Sequence, residues 1–181
     1  MKLKMKEKIL LFKVRTKKDS AAFGELYDLH VERIYRFVYF KVSNKEESED
    51  ITSEVFLKTW NYLIENKDKE VKSFTGLVYR IARNLIIDFY RQRAKKSECS
   101  IDSVVLMANN DDFKKIEINQ DVERLMIVVK KMKQEYQEVV LLKYIEELST
   151  AEIAKILDKT KTSVRVTLHR ATKKLQEMLG E

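Results

Sequence analysis

Proline is absent from all 181 residues, and glycine occurs only at Gly24, Gly76 and Gly180. The two residue types that most strongly interrupt helices and build tight hairpin turns are therefore nearly missing, which predicts an all-α chain. With 44% hydrophobic and 36% charged residues, the length suits one ordinary soluble domain or two small ones. No apolar run approaches the roughly 20 residues that span a bilayer, so no membrane insertion and a cytoplasmic location are expected. Cys99 is the single cysteine and His30 and His169 are the only histidines, so neither an intramolecular disulfide nor a usual zinc spacing can be assembled. No metal and no cofactor are expected.

Apolar residues recur at helical spacing in three early segments. Phe23, Leu26, Tyr27, Ile34, Phe37 and Val38 form the first stripe, which breaks at Ser43 and Asn44. A second helix should start in the acids Glu46, Glu47, Glu49 and Asp50, which suit the positive end of a helix dipole, and carry Ile51, Val55, Phe56, Trp60 and Leu63. Asn66 to Glu70 reads as a loop. A third helix, with Ser73 as its cap, carries Phe74, Leu77, Val78, Ile81, Leu85 and Phe89. Three such stripes can enclose one core, giving a first domain over 1–93. Periodicity fades over 94–121, which reads as a flexible acidic linker. A second domain over 122–181 resumes with Val122 to Val129, Tyr136 to Tyr144, Ser149 to Leu157 and Thr162 to Leu179.

The formal net charge of +7 conceals segregation. Met1 to Ser20 has eight Lys/Arg against two acids, Arg80 to Lys96 has six against one, and Lys159 to Lys174 has six and no acid. Lys45 to Glu54 instead holds five acids and one Lys, and Ser97 to Val129 has seven acids against three basic residues. Basic blocks separated in this way fit contact with a polyanion at two places, although a single charge run is as often a solvated helix face.

The most informative local pattern lies near the end. Ser149, Thr150, Ala151 and Glu152 form a capping box that starts a helix with Ile153, Ala154 and Leu157 on its apolar face. Asp158 to Thr160 interrupts before Val164 and Leu168 resume, which is helix-turn-helix spacing. The second helix offers Lys161, Thr162, Ser163, Arg165, Thr167 and Arg170, hydroxyls and cations suited to phosphates and base edges in a major groove. A helical hairpin that merely packs is the plainer alternative, but cap, small Ala154, turn and acid-free basic helix agree.

At this point the chain resembles the bacterial sigma-70 family, in its compact extracytoplasmic-function group, which keeps the second and fourth conserved regions. The likeness rests on Asp19 to Tyr27, Glu49 to Trp60, Tyr79 to Arg91, and Leu148 to Ala154 with Ser163, Val164 and Leu168 to Ala171, in family order. It implies a factor that binds core RNA polymerase and directs initiation at promoters, without catalysis. Its polymerase contacts would be Asp50, Ile51, Ser53, Glu54 and Phe56, docking on the clamp of the largest subunit. Minus-ten DNA would meet Arg80, Arg83, Asn84, Asp88, Arg91, Arg93 and Lys72, with Lys67 and Lys69 nearby, and minus-thirty-five DNA the helix-turn-helix residues named above. The linker would occupy the RNA exit region. An anti-sigma partner is left open, and the free chain should be a monomer.

The chain departs from the family pattern in three places. Lys131, Met132 and Lys133 replace the usual Leu-Pro before Tyr136, Asp158 replaces a turn Gly, and Val166 with Thr167 replaces Ser-Arg. The last removes a basic contact and points to an altered promoter preference, while Asp158 can still adopt the left-handed turn conformation. Two rivals remain. A stand-alone helix-turn-helix regulator dimerising on operator DNA would leave residues 1–93 without a role. A metal-dependent nuclease built on Glu46 to Glu54 would lack His partners and a Gly-rich phosphate loop. Trp60 reads as a core anchor, His169 has no catalytic role, and of Phe89 and Tyr90 one should be core while an exposed Tyr90 could stack or be solvated.

Overall fold

A computed structural model describes residues 2–96 and 120–180. The chain is all-α and divides into two compact units, Met1–Ala108 and Asn109–Glu181. Most of the expected linker lies outside the described residues; at its edges α4 continues to Lys96 and the next described helix starts at Gln120.

The first unit contains α1 (Lys2–Lys17), α2 (Ser20–Val42), α3 (Lys45–Glu65) and α4 (Phe74–Lys96), all packed against one another. The expected breaks appear where local chemistry dictates. Asp19 caps α2 by accepting from the Ala22 amide at 3.0 Å, and α2 ends at Ser43, whose φ of 55° turns the chain left-handed. Asn44 then caps α3 through the Glu47 amide at 3.0 Å. The apolar stripes converge on Leu26, Ile34, Val38, Val55, Leu63, Phe74, Val78 and Tyr79, all fully buried. Burying each such side chain contributes about 1.5–3 kcal/mol before entropy is subtracted. Phe23 joins the layers edge-on, 5.1 Å from the Trp60 ring and 6.2 Å from Phe74, so Trp60 is part of the packing.

Helix α1 is the element that apolar periodicity did not indicate. Its Leu10, Leu11 and Val14 are buried, and its Glu7 caps α4 from a distance in sequence. The Glu7 carboxylate accepts from the Phe74 amide at 2.9 Å, the Thr75 amide at 3.2 Å and the Thr75 hydroxyl at 3.1 Å. It also lies 3.5 Å from Nε2 of buried His30. Burial pushes this carboxyl up, but the His30 and Thr75 hydrogen bonds outweigh it and hold the group below the usual carboxylate range. Ser73 adds a nearer cap, its hydroxyl accepting from the Gly76 amide at 3.2 Å.

The second unit contains α5 (Gln120–Lys130), α6 (Gln134–Val140) with a π turn over Leu141–Ile145, α7 (Thr150–Ile156) and α8 (Lys161–Leu179). Gln137 donates from Nε2 to the Lys130 and Met132 carbonyls, both at 2.9 Å, and so closes the end of α5. The capping box forms as the sequence predicts. The Ser149 hydroxyl accepts from the Glu152 amide at 3.3 Å while the Ser149 amide donates to the Glu152 carboxylate at 2.9 Å. Asp158 takes the left-handed conformation at φ 53°, and Lys159 N donates to the Ala154 carbonyl at 2.8 Å, the closure that follows an α-helix end of this kind. Thr160 caps α8 through the Ser163 amide at 3.1 Å. Val129, Val139, Leu142, Ile153, Val164 and Ala171 fill the core between these helices.

Candidate nucleic-acid interface

On α3 the geometry separates residues that the resemblance had grouped. Asp50, Ser53 and Glu54 are exposed on one face, whereas Ile51 and Phe56 are only 7% and 3% exposed. Phe56 packs edge-on against Tyr27, with centroids 4.6 Å apart. Ile51 and Phe56 therefore pack into the core of the unit and hold the helix in place. The apolar residue on the acidic face is instead Leu57, 60% exposed, which follows Asp50 by seven positions and Glu54 by three. Glu54 pairs with Lys58 at 3.0 Å, an exposed contact that water and salt weaken.

On α4, Arg80, Asn84, Asp88 and Arg91 are exposed and succeed one another at intervals of four, four and three, which places them in one row. Arg83 is half-buried beside this row. Arg80 lies over the Tyr62 ring at 5.9 Å, and Arg91 lies 3.4 Å from Asp88. Arg93 does not join the row. At about 100° per residue it falls on the other side of α4, where it reaches Glu47 at 3.7 Å and ties the end of α4 to the start of α3. Tyr90 is likewise committed to the fold, its half-buried hydroxyl donating to the Lys41 carbonyl, and burial raises its pKa. Phe89 is half-buried beside it, with ring centroids 5.3 Å apart.

The loop between α3 and α4 brings Lys67, Lys69 and Lys72 to the surface, with Lys72 at 3.2 Å from Glu70. Arg15 of α1 fixes this loop by donating from Nη2 to the carbonyls of Lys67 and Lys69, both at 2.6 Å. Backbone satisfied in this way cannot sag, so the loop's lysines are carried on a held frame.

On α8, Lys161, Thr162, Ser163, Arg165 and Arg170 are exposed as expected, and among the described residues no acid pairs with Arg165 or Arg170. Thr167 differs. It is only 9% exposed and donates its hydroxyl to the Ser163 carbonyl at 2.9 Å, because it shares the buried stripe of Val164 and Ala171. Its neighbour Val166 takes the outer face at 44% exposed, where an apolar side chain can meet a thymine methyl group. His169 is also exposed. Groups of three or more metal-ligating side chains are absent among the described residues, as is any helix long and apolar enough to cross a membrane.

Two helical units, one with a basic row beside a lysine loop and one with a basic helix-turn-helix, narrow the comparison with known proteins. Residues 26–96 match Sigma-70 region 2 and residues 123–175 match Sigma-70, region 4. The ECF RNA polymerase sigma factor SigW of Bacillus subtilis is 30% identical over 196 residues, covering all of both chains. The chain belongs to the ECF sigma factors of the sigma-70 family. It is thereby a DNA-binding protein of transcription initiation. The ECF sigma factor BldN of Streptomyces coelicolor is 26% identical over 90% of this chain, which spans 62% of BldN's length. The fold is that of CnrH, solved in complex with the cytosolic domain of CnrY, at a TM-score of 0.72 and 20% identity, covering 97% of each chain. RpoE from Bartonella quintana, solved with the anti-sigma factor NepR, also gives 0.72, at 18% identity over 87% of this chain and 96% of that one.

Proposed function

We propose that this ECF sigma factor binds the largest-subunit clamp of core RNA polymerase through the exposed α3 face of Asp50, Ser53, Glu54 and Leu57. The holoenzyme then reads a minus-ten element with α4 and the loop before it, and a minus-thirty-five element with α8. The observation that carries this reading is the division of surfaces within one chain. An acidic face with one exposed leucine suits a basic protein partner. The row Arg80, Asn84, Arg91 on a rigid helix, beside a loop of lysines, suits an opened strand whose bases need polar groups and whose phosphates need cations. The capped helix α8, with Lys161, Arg165 and Arg170 outward, suits duplex DNA in the major groove. Melting on this reading comes from capture of unpaired bases, with no nucleotide hydrolysis by the chain. The proposal includes a monomeric free form in the cytoplasm. It also includes an anti-sigma partner, as RpoE has in NepR.

Run-off transcription with core polymerase tests the reading. Promoter-dependent starts are expected only when the chain is added. Reversing Asp50 and Glu54 to Lys is expected to lower core affinity by about tenfold or more, since like charges then face the clamp. Tight operator binding as a dimer without polymerase, and no promoter-dependent start, would overturn it in favour of a stand-alone regulator.

A further inference from the structure

Helix α1 carries two apolar faces where packing needs one. Leu10, Leu11 and Val14 are buried in the first unit, while Met5, Ile9 and Phe12 stand outward at 61%, 52% and 65% exposure. At about 100° per residue these three fall within about 60° of one another and form a single ridge. Apolar side chains in a row in water lose favourable burial, so a face of this kind marks a contact. Its borders are cationic: exposed Lys6 and Lys13 flank the ridge on one side and exposed Lys8 on the other. Beyond Lys8 an open cleft of about 800 Å3 separates α1 from the α3–α4 loop, with Lys67 and Lys72 on its far wall. Arg15 ties the two walls together through the Lys67 and Lys69 carbonyls, so the loop lysines keep a fixed place beside the ridge. Two of these lysines hold exposed acids, Lys6 with Glu25 at 2.8 Å and Lys72 with Glu70 at 3.2 Å, in pairs that a dense array of anions can displace.

A convex ridge with lysines on both borders narrows the occupant. A protein partner would need a groove to take the ridge and acids placed on both of its rims, whereas an anionic bilayer surface yields to inserted side chains and offers phosphates on every side. Lysine suits that boundary, because its methylene stem lies along apolar chains while the ammonium stays among the headgroups. We propose that α1 docks the chain on an anionic lipid surface, with Met5, Ile9 and Phe12 inserted at headgroup depth, Lys6, Lys8 and Lys13 on the flanking phosphates, and one lipid phosphate in the cleft between Lys8, Lys67 and Lys72. The helix lies on the surface and does not span it, in keeping with the absence, among the described residues, of a helix long and apolar enough to cross. Lipid docking goes beyond the promoter reading and does not depend on it.

The test mixes the full chain with vesicles of equal parts phosphatidylglycerol and phosphatidylcholine, and with vesicles of phosphatidylcholine alone. Co-sedimentation is expected with the first and not the second, and it should fall as salt rises. Replacing both apolar tips, Ile9→Ser with Phe12→Ser, is expected to weaken binding about tenfold or more, while the thermal melt stays with that of the native chain because both positions face solvent. Lys8→Ala and Lys13→Ala, on opposite borders, should each weaken it about fivefold. In Phe12→Trp the new indole should shift its emission to the blue on anionic vesicles and be quenched by lipids brominated on the acyl chains, a readout that charge attraction alone would not move. No sedimentation with anionic vesicles would overturn the proposal. So would binding that the double substitution leaves intact, which would reduce the face to a plain polycation. Unchanged lipid binding with lower affinity for core polymerase in the double variant would overturn it too, and assign the ridge to a protein partner.

Discussion

The two units are held together by different kinds of interaction. In the second, the helix ends are closed locally, by Ser149 with Glu152, Thr160 with Ser163, and Gln137 with Lys130 and Met132, all within seven residues, and the longer reaches are the exposed pairs Tyr144 with Thr172 and Lys159 with Glu135. In the first, polar contacts reach across the unit. Glu7 caps α4 from 67 and 68 residues away, Arg15 holds the loop from 52 and 54, and Tyr90 bonds the Lys41 carbonyl from 49. Local contacts form with little loop-closure cost, so a module of about 60 residues near the lower size limit can rely on them. The long-range contacts require the whole four-helix unit and fix its α3–α4 loop from outside.

Removing α1 is the severest way to break that contrast. Deleting residues 2–17 takes away Leu10, Leu11 and Val14, at about 1.5–3 kcal/mol each, together with the cap of α4 and the brace of the loop. Since whole domains are stable by only about 5–15 kcal/mol, the first unit is expected to lose cooperative unfolding. The second unit should keep its hydrogen-exchange protection. Equal loss of protection in α7 and α8 would show that the units are not independent in stability.

Glu7→Gln probes the same link more narrowly. Gln keeps the shape but loses the charge that faces the first amides of α4 and His30, and a cost of about 1–3 kcal/mol is expected in chemical denaturation of the first unit. The pH dependence has a definite sign. The folded carboxyl titrates below the ordinary 4.5, so its contribution is present above that value and is lost as pH falls through the lower folded value. The gap between the native chain and Glu7→Gln should therefore be constant near neutrality and close on acidification. A gap that widens with acid would place the stabilisation elsewhere.

The same contrast governs what could be read from sequence. The helices α2, α3, α4, α7 and α8 were legible because their stripes and caps lie within a few residues, and Asp158 was legible as a left-handed turn. Helix α1 was not, because lysines at positions 2, 4, 6 and 8 obscure its buried face and its polar partners lie far along the chain. In the candidate site, the direction in which a side chain points was the harder thing to read. Ile51 and Phe56 sit beside Asp50 and Glu54 in sequence, but a step of about 100° per residue turns them into the core and brings Leu57 outward. Thr167 and Val166 exchange places for the same reason: Thr167 lies three after Val164 and four before Ala171, on the buried stripe. Arg93 follows the row of Arg80, Asn84, Asp88 and Arg91 in sequence but is turned to Glu47. Helical position relative to the stripe would have found Leu57 and Val166; only coordinates could find Arg15 and Glu7.

In the second unit the matching probe of local bonding is Ser149→Ala. It removes the side-chain half of the capping box and should cost about 1 kcal/mol, read as a lower melting temperature of the second unit with the first unchanged. A shift in both units would mean that α7 is not stabilised locally.

The smallest effect concerns the turn between α7 and α8, where a local rule is broken and the long-range contact at the turn is a part-exposed ion pair of Lys159 with Glu135 at 3.9 Å. Asp158, the residue after the Leu157 cap of α7, holds φ 53°, and Lys159 N reaches back to the Ala154 carbonyl at 2.8 Å. Glycine is the usual residue at such a position, because a Cβ crowds the backbone there, yet glycine also loses more chain entropy on folding. Asp tolerates the conformation better than most, so the two terms nearly cancel and Asp158→Gly should stabilise the second unit by only about 0.5 kcal/mol. Asp158→Val, branched at Cβ, should destabilise it by about 1 kcal/mol or more. Thermal melts of the two variants therefore move in opposite directions if the left-handed turn is held by backbone conformation alone. If both variants lose stability equally, the Asp158 carboxylate supplies an interaction of its own to the turn, and the helix-turn-helix is less purely local than its other contacts imply.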